Sequence, residues 1–176
     1  MQTIFLTGFM GAGKTTIGQL LADKLNCPVM DTDALIEKQE GKAITTIFSE
    51  HGEAYFRNLE TNMLHSFGEE AGVVTTGGGI VIKENNRQLM KERGTVIYLN
   101  SEFSEIWNRL IDDESRPLIQ HKNKERTQSL FNQRLPFYKD SADVMIETSG
   151  KTAEQTAEEI IERLNLKKCG KANTVN

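Results

Sequence analysis

The chain is short of cysteine, histidine and positive charge, and each shortage excludes a class of function. Among 176 residues stand two cysteines, Cys27 and Cys169, far apart and outside any C-x-x-C spacing. That pattern argues against a disulfide framework or a zinc site and fits a reducing compartment. His51, His65 and His121 show no metal-ligand spacing and no serine or cysteine partner pattern, so none is given a role. Lysine and arginine number 21 against 25 aspartate and glutamate, a net charge of −4. No global positive field exists to hold nucleic acid or an anionic membrane surface, so any bound anion must be caught locally. No basic segment precedes the first apolar run, and Lys14 interrupts the chain before a membrane span could accumulate. A cytoplasmic protein with neither a nucleic-acid nor a membrane partner is expected. There is no internal repeat, low-complexity tract or linker, and the length suits one domain with a real core.

Against these absences stands one complete motif. Gly8 to Thr15 read Gly-Phe-Met-Gly-Ala-Gly-Lys-Thr, a G-x-x-x-x-G-K-[ST] phosphate-binding loop, directly after the apolar run Ile4-Phe5-Leu6. Gly8, Gly11 and Gly13 let the backbone wrap a polyphosphate, Lys14 reaches the outer phosphates, and the Thr15 hydroxyl can ligate Mg²⁺. The following helix carries Ile17, Leu20, Leu21 and Leu25 on one face and adds its positive end to the site.

Further on, strands and helices alternate. Pro28-Val29-Met30 reads as a strand ending in Asp31-Thr32-Asp33, and a helix around Leu35 and Ile36 stops near Gly41. Ile44, Ile47 and Phe48 begin a helical stretch broken at Gly52; Phe56, Leu59, Met63 and Phe67 continue it to about Gly72. Val73-Val74-Thr75 is a third strand running into Gly77-Gly78-Gly79, and a helix around Leu89 and Met90 lasts until Gly94. Thr95 to Leu99 is a fourth strand. Ser101 is a candidate N-cap for a helix with Phe103, Ile106, Trp107, Leu110 and Ile111 on one face. The polar stretch 112–124 reads as a lid-type loop, and helicity resumes towards Tyr138. Val144-Met145-Ile146 is a fifth strand, Thr152 with Gln155 makes a capping box for a last helix, and a frayed tail begins at about Lys167. The alternation implies an α/β fold whose largely parallel sheet is covered on both faces, with ligands at the carboxyl ends of the strands.

Asp31 and Asp33, two apart on an extended segment, would share a side and face one site, although Asp33 as a plain N-cap stays open. The three glycines are best explained by close backbone approach to a ligand, with a simple turn as the alternative. Arg57, Arg116 and Arg134 are candidate anion clamps, since guanidinium pairs with carboxylate or phosphate as a planar fork. Arg57 could instead form an ordinary exposed pair with Glu60, and Arg134 could face water.

Taken together, these motifs resemble the shikimate kinase family over nearly the whole chain, to about Leu164. In order they are Gly8 to Thr15 with Ile17-Gly18, Asp31-Thr-Asp33, Gly52-Glu53-Ala-Tyr-Phe56-Arg57-Asn-Leu-Glu60, Gly77-Gly-Gly79, and Arg116-Pro117-Leu118 followed by Arg134. The resemblance implies a three-layer P-loop fold with a five-stranded parallel sheet in the order 2-3-1-4-5. It implies one kinase domain over residues 1–166, with a helical substrate-binding insert at about 33–61 and a mobile lid at about 112–124; residues 167–176 are expected to form a flexible tail. The activity implied is ATP-dependent phosphorylation of the 3-hydroxyl of shikimate, giving shikimate 3-phosphate for aromatic amino-acid biosynthesis, with Mg²⁺ as cofactor. Shikimate and ATP are the expected partners of a monomer. Carried over residue by residue, Gly11, Ala12, Gly13, Lys14, Thr15, Thr16 and Arg116 would serve ATP, and Thr15 and, through water, Asp31 would serve Mg²⁺. Asp33, Arg57, Gly78, Gly79 and Arg134 would hold shikimate, the two arginines on its carboxylate, and Lys14, Asp33 and Arg116 would carry catalysis. Asp33, taken at an ordinary pKa near 4, is expected to orient the hydroxyl rather than act as a strong base.

Two features depart from the family pattern. Where members often carry an arginine near the adenine, this chain has Ser149-Gly150-Lys151, and a lysine cannot stack as guanidinium does. Asp112-Asp113-Glu114 also makes the lid acidic. The rivals are a kinase for another polyol acid such as gluconate, and a nucleotide-controlled switch without a small substrate.

Overall fold

The computed structural model describes residues 2–68, 72–112 and 123–168. The lid residues 113–122, with Arg116, and the tail from 169 lie outside that set.

The first strand, β1 (Thr3–Thr7), is buried along its whole length. Its alternating side chains feed two cores: Phe5 packs into one face of the sheet, Ile4 and Leu6 into the other. After the loop comes α1 (Lys14–Leu25), then β2 (Val29–Asp31), α2 (Thr32–Glu40) and the long α3 (Ile44–Ser66). Gly52 breaks α3 with φ 78 and ψ 174, where the sequence placed an interruption. The helix stops earlier than expected, since Phe67 is already extended and joins the core beside Phe5.

β3 (Val73–Thr75) runs through the three glycines into a short 3-10 turn (Ile80–Ile82), followed by α4 (Glu84–Arg93) and β4 (Gly94–Asn100). Next come α5 (Phe103–Asp112), α6 (Lys124–Ser141), β5 (Val144–Glu147) and α7 (Ala153–Arg163). The five strands are all parallel and lie in the order β2-β3-β1-β4-β5. On one side α3, α4 and α6 contribute Met63, Leu64, Met90 and Tyr138; on the other, α1 and α7 contribute Ile17, Leu21, Leu25 and Ile160. Each such buried side chain stabilises the fold by about 1.5–3 kcal/mol, which is why apolar periodicity predicts these faces well.

Side-chain N-caps close α2, α6 and α7, while α1, α3 and α4 have none. α7 has the expected capping box, Thr152 Oγ1 accepting from Gln155 N at 3.2 Å and Gln155 Oε1 from Thr152 N at 2.9 Å. Ser101 does not cap α5: its hydroxyl is buried against that of Thr148, tying the ends of β4 and β5 together. Ile111, expected on the buried face of α5, is 42% exposed because it lies at the helix end, past the packed residues Ile106, Trp107 and Leu110. Among the described residues no helix is long and apolar enough to cross a membrane.

Candidate active site

A cavity of about 490 Å³ opens at the carboxyl ends of β1, β2 and β3, where the fold rule places ligands. Gly11, Gly13, Lys14, Thr15, Thr16, Asp31, Asp33, Gly77 and Gly78 line it. The loop glycines adopt φ values of 151° (Gly8), 80° (Gly11) and 89° (Gly13), which a side chain would strain. Gly13 sits at the N-terminus of α1, so the first amides of that helix face the cavity end. Lys14 donates to Gly8 O at 2.8 Å and Phe9 O at 2.9 Å, lying back along its own loop.

Asp31 and Asp33 reach the same cavity by a route the sequence did not show. Asp31, not Asp33, caps α2: its Oδ1 accepts from Asp33 N at 3.0 Å and Ala34 N at 3.1 Å. Its Oδ2 accepts from Thr75 Oγ1 at 2.6 Å, linking β2 to β3. Asp33 stands in the first turn of α2 rather than on an extended segment, so helix geometry, not strand alternation, aims it. Burial, then the neighbouring Asp31, raise the Asp33 carboxyl from 3.8 to about 6, against the pull of Lys14 and Arg57. The expectation of an ordinary pKa is therefore corrected; at about 6 this aspartate is a competent proton acceptor at neutral pH.

The glycine run makes room for side chains. None of Gly77, Gly78 and Gly79 has a positive φ. A Cβ at Gly77 would collide with the Asp33 carboxylate, and one at Gly79 with the Arg57 guanidinium. Gly77 N donates to Thr32 Oγ1 at 3.0 Å, and Gly78 O accepts from Tyr138 Oη and, at 3.4 Å, from Arg134 Nη1. The glycines thus bind α2, α3 and α6 to one point beyond the phosphate loop.

Arg57 is no exposed helix pair. It is 8% exposed, and its Nη1 contacts Glu60 Oε2 at 2.7 Å, with Glu60 fully buried. Glu53 Oε1 takes the other edge, 3.1 Å from Nε and 2.9 Å from Nη2. Burial opposes the charge on Arg57, yet Glu60 and Glu53 outweigh it and hold the guanidinium above its ordinary range. Burial raises Glu60 to about 7, with Arg57 pulling the other way and Asp33 adding to the rise. Arg134 is half-buried and lies over Phe9 at 6.0 Å. Among the described residues the buried side-chain polar atoms without a partner are Asp33 Oδ1, Glu60 Oε1 and Arg134 Nε. Such atoms cost free energy unless something pairs with them, and a polar ligand is the natural complement.

Ala12 is 1% exposed and lines a neighbouring cavity of about 230 Å³ with Gly13, Thr16, Arg109, Thr148 and Lys151. Lys151 donates to Glu147 O at 2.8 Å and pairs with Glu159, so its ammonium is tethered. Arg109 was not singled out by the sequence, yet it borders both cavities and donates to Gly11 O at 3.1 Å. The only signal is Glu105 four residues earlier, a spacing that ordinary surface pairs share. Arg116 lies outside the described residues.

The chain is similar to known proteins in sequence and fold. The family model described as Shikimate kinase matches residues 10–165. A shikimate kinase of Bacillus cytotoxicus is 44% identical over 165 residues, 94% of this chain and 99% of that protein. A solved shikimate kinase from Acinetobacter baumannii, in complex with shikimate, has a TM-score of 0.85 at 37% identity, covering 94% of this chain and 93% of that one. A gluconokinase from Sinorhizobium meliloti is 17% identical, with a TM-score of 0.61 over 93% of this chain and 91% of that one, a likeness of fold alone. With a family model over residues 10–165 and relatives of this identity covered almost end to end, the chain belongs to the shikimate kinase family.

Proposed function

We propose that this protein transfers the γ-phosphoryl group of ATP to the 3-hydroxyl of shikimate. The observation that carries the reading is the set of unpartnered buried atoms, Asp33 Oδ1, Glu60 Oε1 and Arg134 Nε, around Gly77 to Gly79 and beside the phosphate loop. Acceptors and a donor together suit a ligand with hydroxyls and a carboxylate, the chemistry of the molecule bound in the Acinetobacter structure.

In the transfer, the bond from the γ-phosphorus to the bridging oxygen of ADP breaks and a bond to the shikimate oxygen forms, while the hydroxyl proton leaves to Asp33. Arg57 and Arg134 clamp the carboxylate, Gly78 and Gly79 let the ring approach backbone, and Asp33 orients the hydroxyl. With its carboxyl at about 6, Asp33 also accepts the proton as the bond forms. Gly11, Ala12, Gly13, Lys14, Thr15 and Thr16 hold the polyphosphate, and Arg116 meets charge on the transferring group. Mg²⁺ fits the donor set, since the Thr15 hydroxyl and Asp31 carboxylate line one cavity and the Asp31 oxygens, already accepting hydrogen bonds, suit a water-mediated contact. When bound there, it neutralises phosphate charge. The reading includes one kinase domain over residues 1–166 and a cytoplasmic setting.

ADP release with Mg-ATP, measured with shikimate, gluconate and quinate in parallel, tests the proposal. Stimulation by shikimate alone is expected; stimulation by gluconate without shikimate would overturn it.

A further inference from the structure

We propose that Glu53 competes with the substrate carboxylate for Arg57, so that its departure is a step in binding and its charge sets substrate affinity. The inference rests on the reading that Arg57 receives that carboxylate.

Arg57 has two carboxylate partners of opposite character. Glu60 has no exposed side-chain surface and meets Nη1 at 2.7 Å. It has no route to solvent without leaving a buried guanidinium poorly paired. Glu53 has a side chain 60% exposed and touches Nε and Nη2 through one oxygen. A rotamer change returns it to water, where exposed ion pairs gain and lose little.

The edge that Glu53 covers is a two-donor fork of the kind a carboxylate binds best. A guanidinium recognises a carboxylate best through two parallel N–H donors, and the Nε/Nη2 edge is such a fork. Arg57 has little freedom to offer another edge, because the Gly79 backbone lies against its planar group, Glu60 holds Nη1, and the Phe56 ring lies 5.5 Å away. A carboxylate arriving at this fork must displace Glu53 or share it with a like charge. Glu53 keeps Arg57 paired between turnovers and weakens the hold on every ligand bearing the carboxylate, the phosphorylated product included. A ligand without a carboxylate has no use for the fork and gains nothing from the absence of Glu53.

The test is calorimetric titration of the full-length protein, wild type, Glu53→Ala and Glu53→Gln, with shikimate, shikimate methyl ester and ADP. Glu53→Ala should bind shikimate about two- to fivefold more tightly, the scale of one exposed ion pair, and Glu53→Gln should fall between it and wild type. The methyl ester and ADP should bind all three alike, and adding Arg57→Ala should abolish the gain. Unchanged or weaker shikimate binding by Glu53→Ala would overturn the proposal and make Glu53 a positioning residue for Arg57. Wild-type protein that binds the ester as well as the acid would instead break the carboxylate role of Arg57, a separate failure.

Discussion

Gly11, Gly13, Lys14, Thr15 and Thr16 line the cleft from one continuous stretch of backbone, whereas Asp33 lines it from α2 and Arg57, Glu60 and Arg134 gather at the glycine run beside it from α3 and α6. The first end attracts an anion with amide dipoles and a helix N-terminus, which need no buried formal charge. The second buries ionisable groups, and the strain shows as carboxyls raised to about 6 at Asp33 and about 7 at Glu60. Backbone sites tolerate change in remote residues. Side-chain sites fail when any one contributor moves.

Asp33→Asn is the sharpest break. It should lower kcat/KM for shikimate by about 10²–10⁴-fold, the usual scale for losing a positioned proton acceptor, while leaving ADP affinity unchanged. A loss below tenfold in steady-state assays would return Asp33 to a minor orienting role. Arg57→Ala comes next, weakening shikimate binding by about 2–4 kcal/mol because one charge of the clamp is lost and Glu60 stays buried without it. Normal titration of this variant with shikimate would dissolve the distinction between the two ends.

The same contrast predicts a pH dependence. Asp33 binds its proton more tightly in the folded protein than the ordinary value of 3.8 implies, so this contribution to stability is complete below about 3.8 and is lost as pH rises through about 6. Asp33→Asn cannot ionise and escapes that loss. Its advantage over wild type in denaturant unfolding should therefore grow from almost nothing near pH 4 to about 1–3 kcal/mol near pH 8. An advantage that shrinks with rising pH would contradict the burial argument. Shikimate turnover should rise across the same interval as Asp33 becomes ionised.

Glycine substitutions separate the two ends at smaller cost. Gly79→Ala drives a methyl into Arg57 and should weaken shikimate binding roughly tenfold with ADP unaffected; Gly13→Ala, at φ 89°, should do the reverse. Paired titrations that move together would show the ends to be coupled. The smallest effect lies outside both: Thr152→Ala removes the α7 cap and should cost about 0.5–2 kcal/mol of stability in thermal melts without changing either affinity.

Much of the scaffold was legible because its determinants are local. β1 with its loop, β3 over Val73–Thr75, the break at Gly52 and the Thr152–Gln155 box all follow from neighbouring residues acting on one another. The sequence alone does not reveal the helical position of Asp33, because β2 passes into α2 with no residue between them and so with no turn signal. The sequence leaves open whether Arg57 clamps an anion or pairs with Glu60 in water, because i,i+3 spacing is the same whether a helix face meets water or the Gly79 backbone. Arg109 and Glu53 carried no motif role that spacing could reveal.

The sequence by itself determined the phosphate-binding loop, the alternation of strands and helices, and the residues able to bind an anion. Those depend on backbone conformation and apolar period, which a few adjacent residues set. Only the tertiary structure decided which carboxylates are desolvated, which edge of Arg57 is held by an exchangeable partner, and why Gly77 and Gly79 lack side chains. Burial and charge coupling are properties of atoms brought together from distant sequence positions, such as Glu60 and Arg134, and no local pattern encodes that meeting.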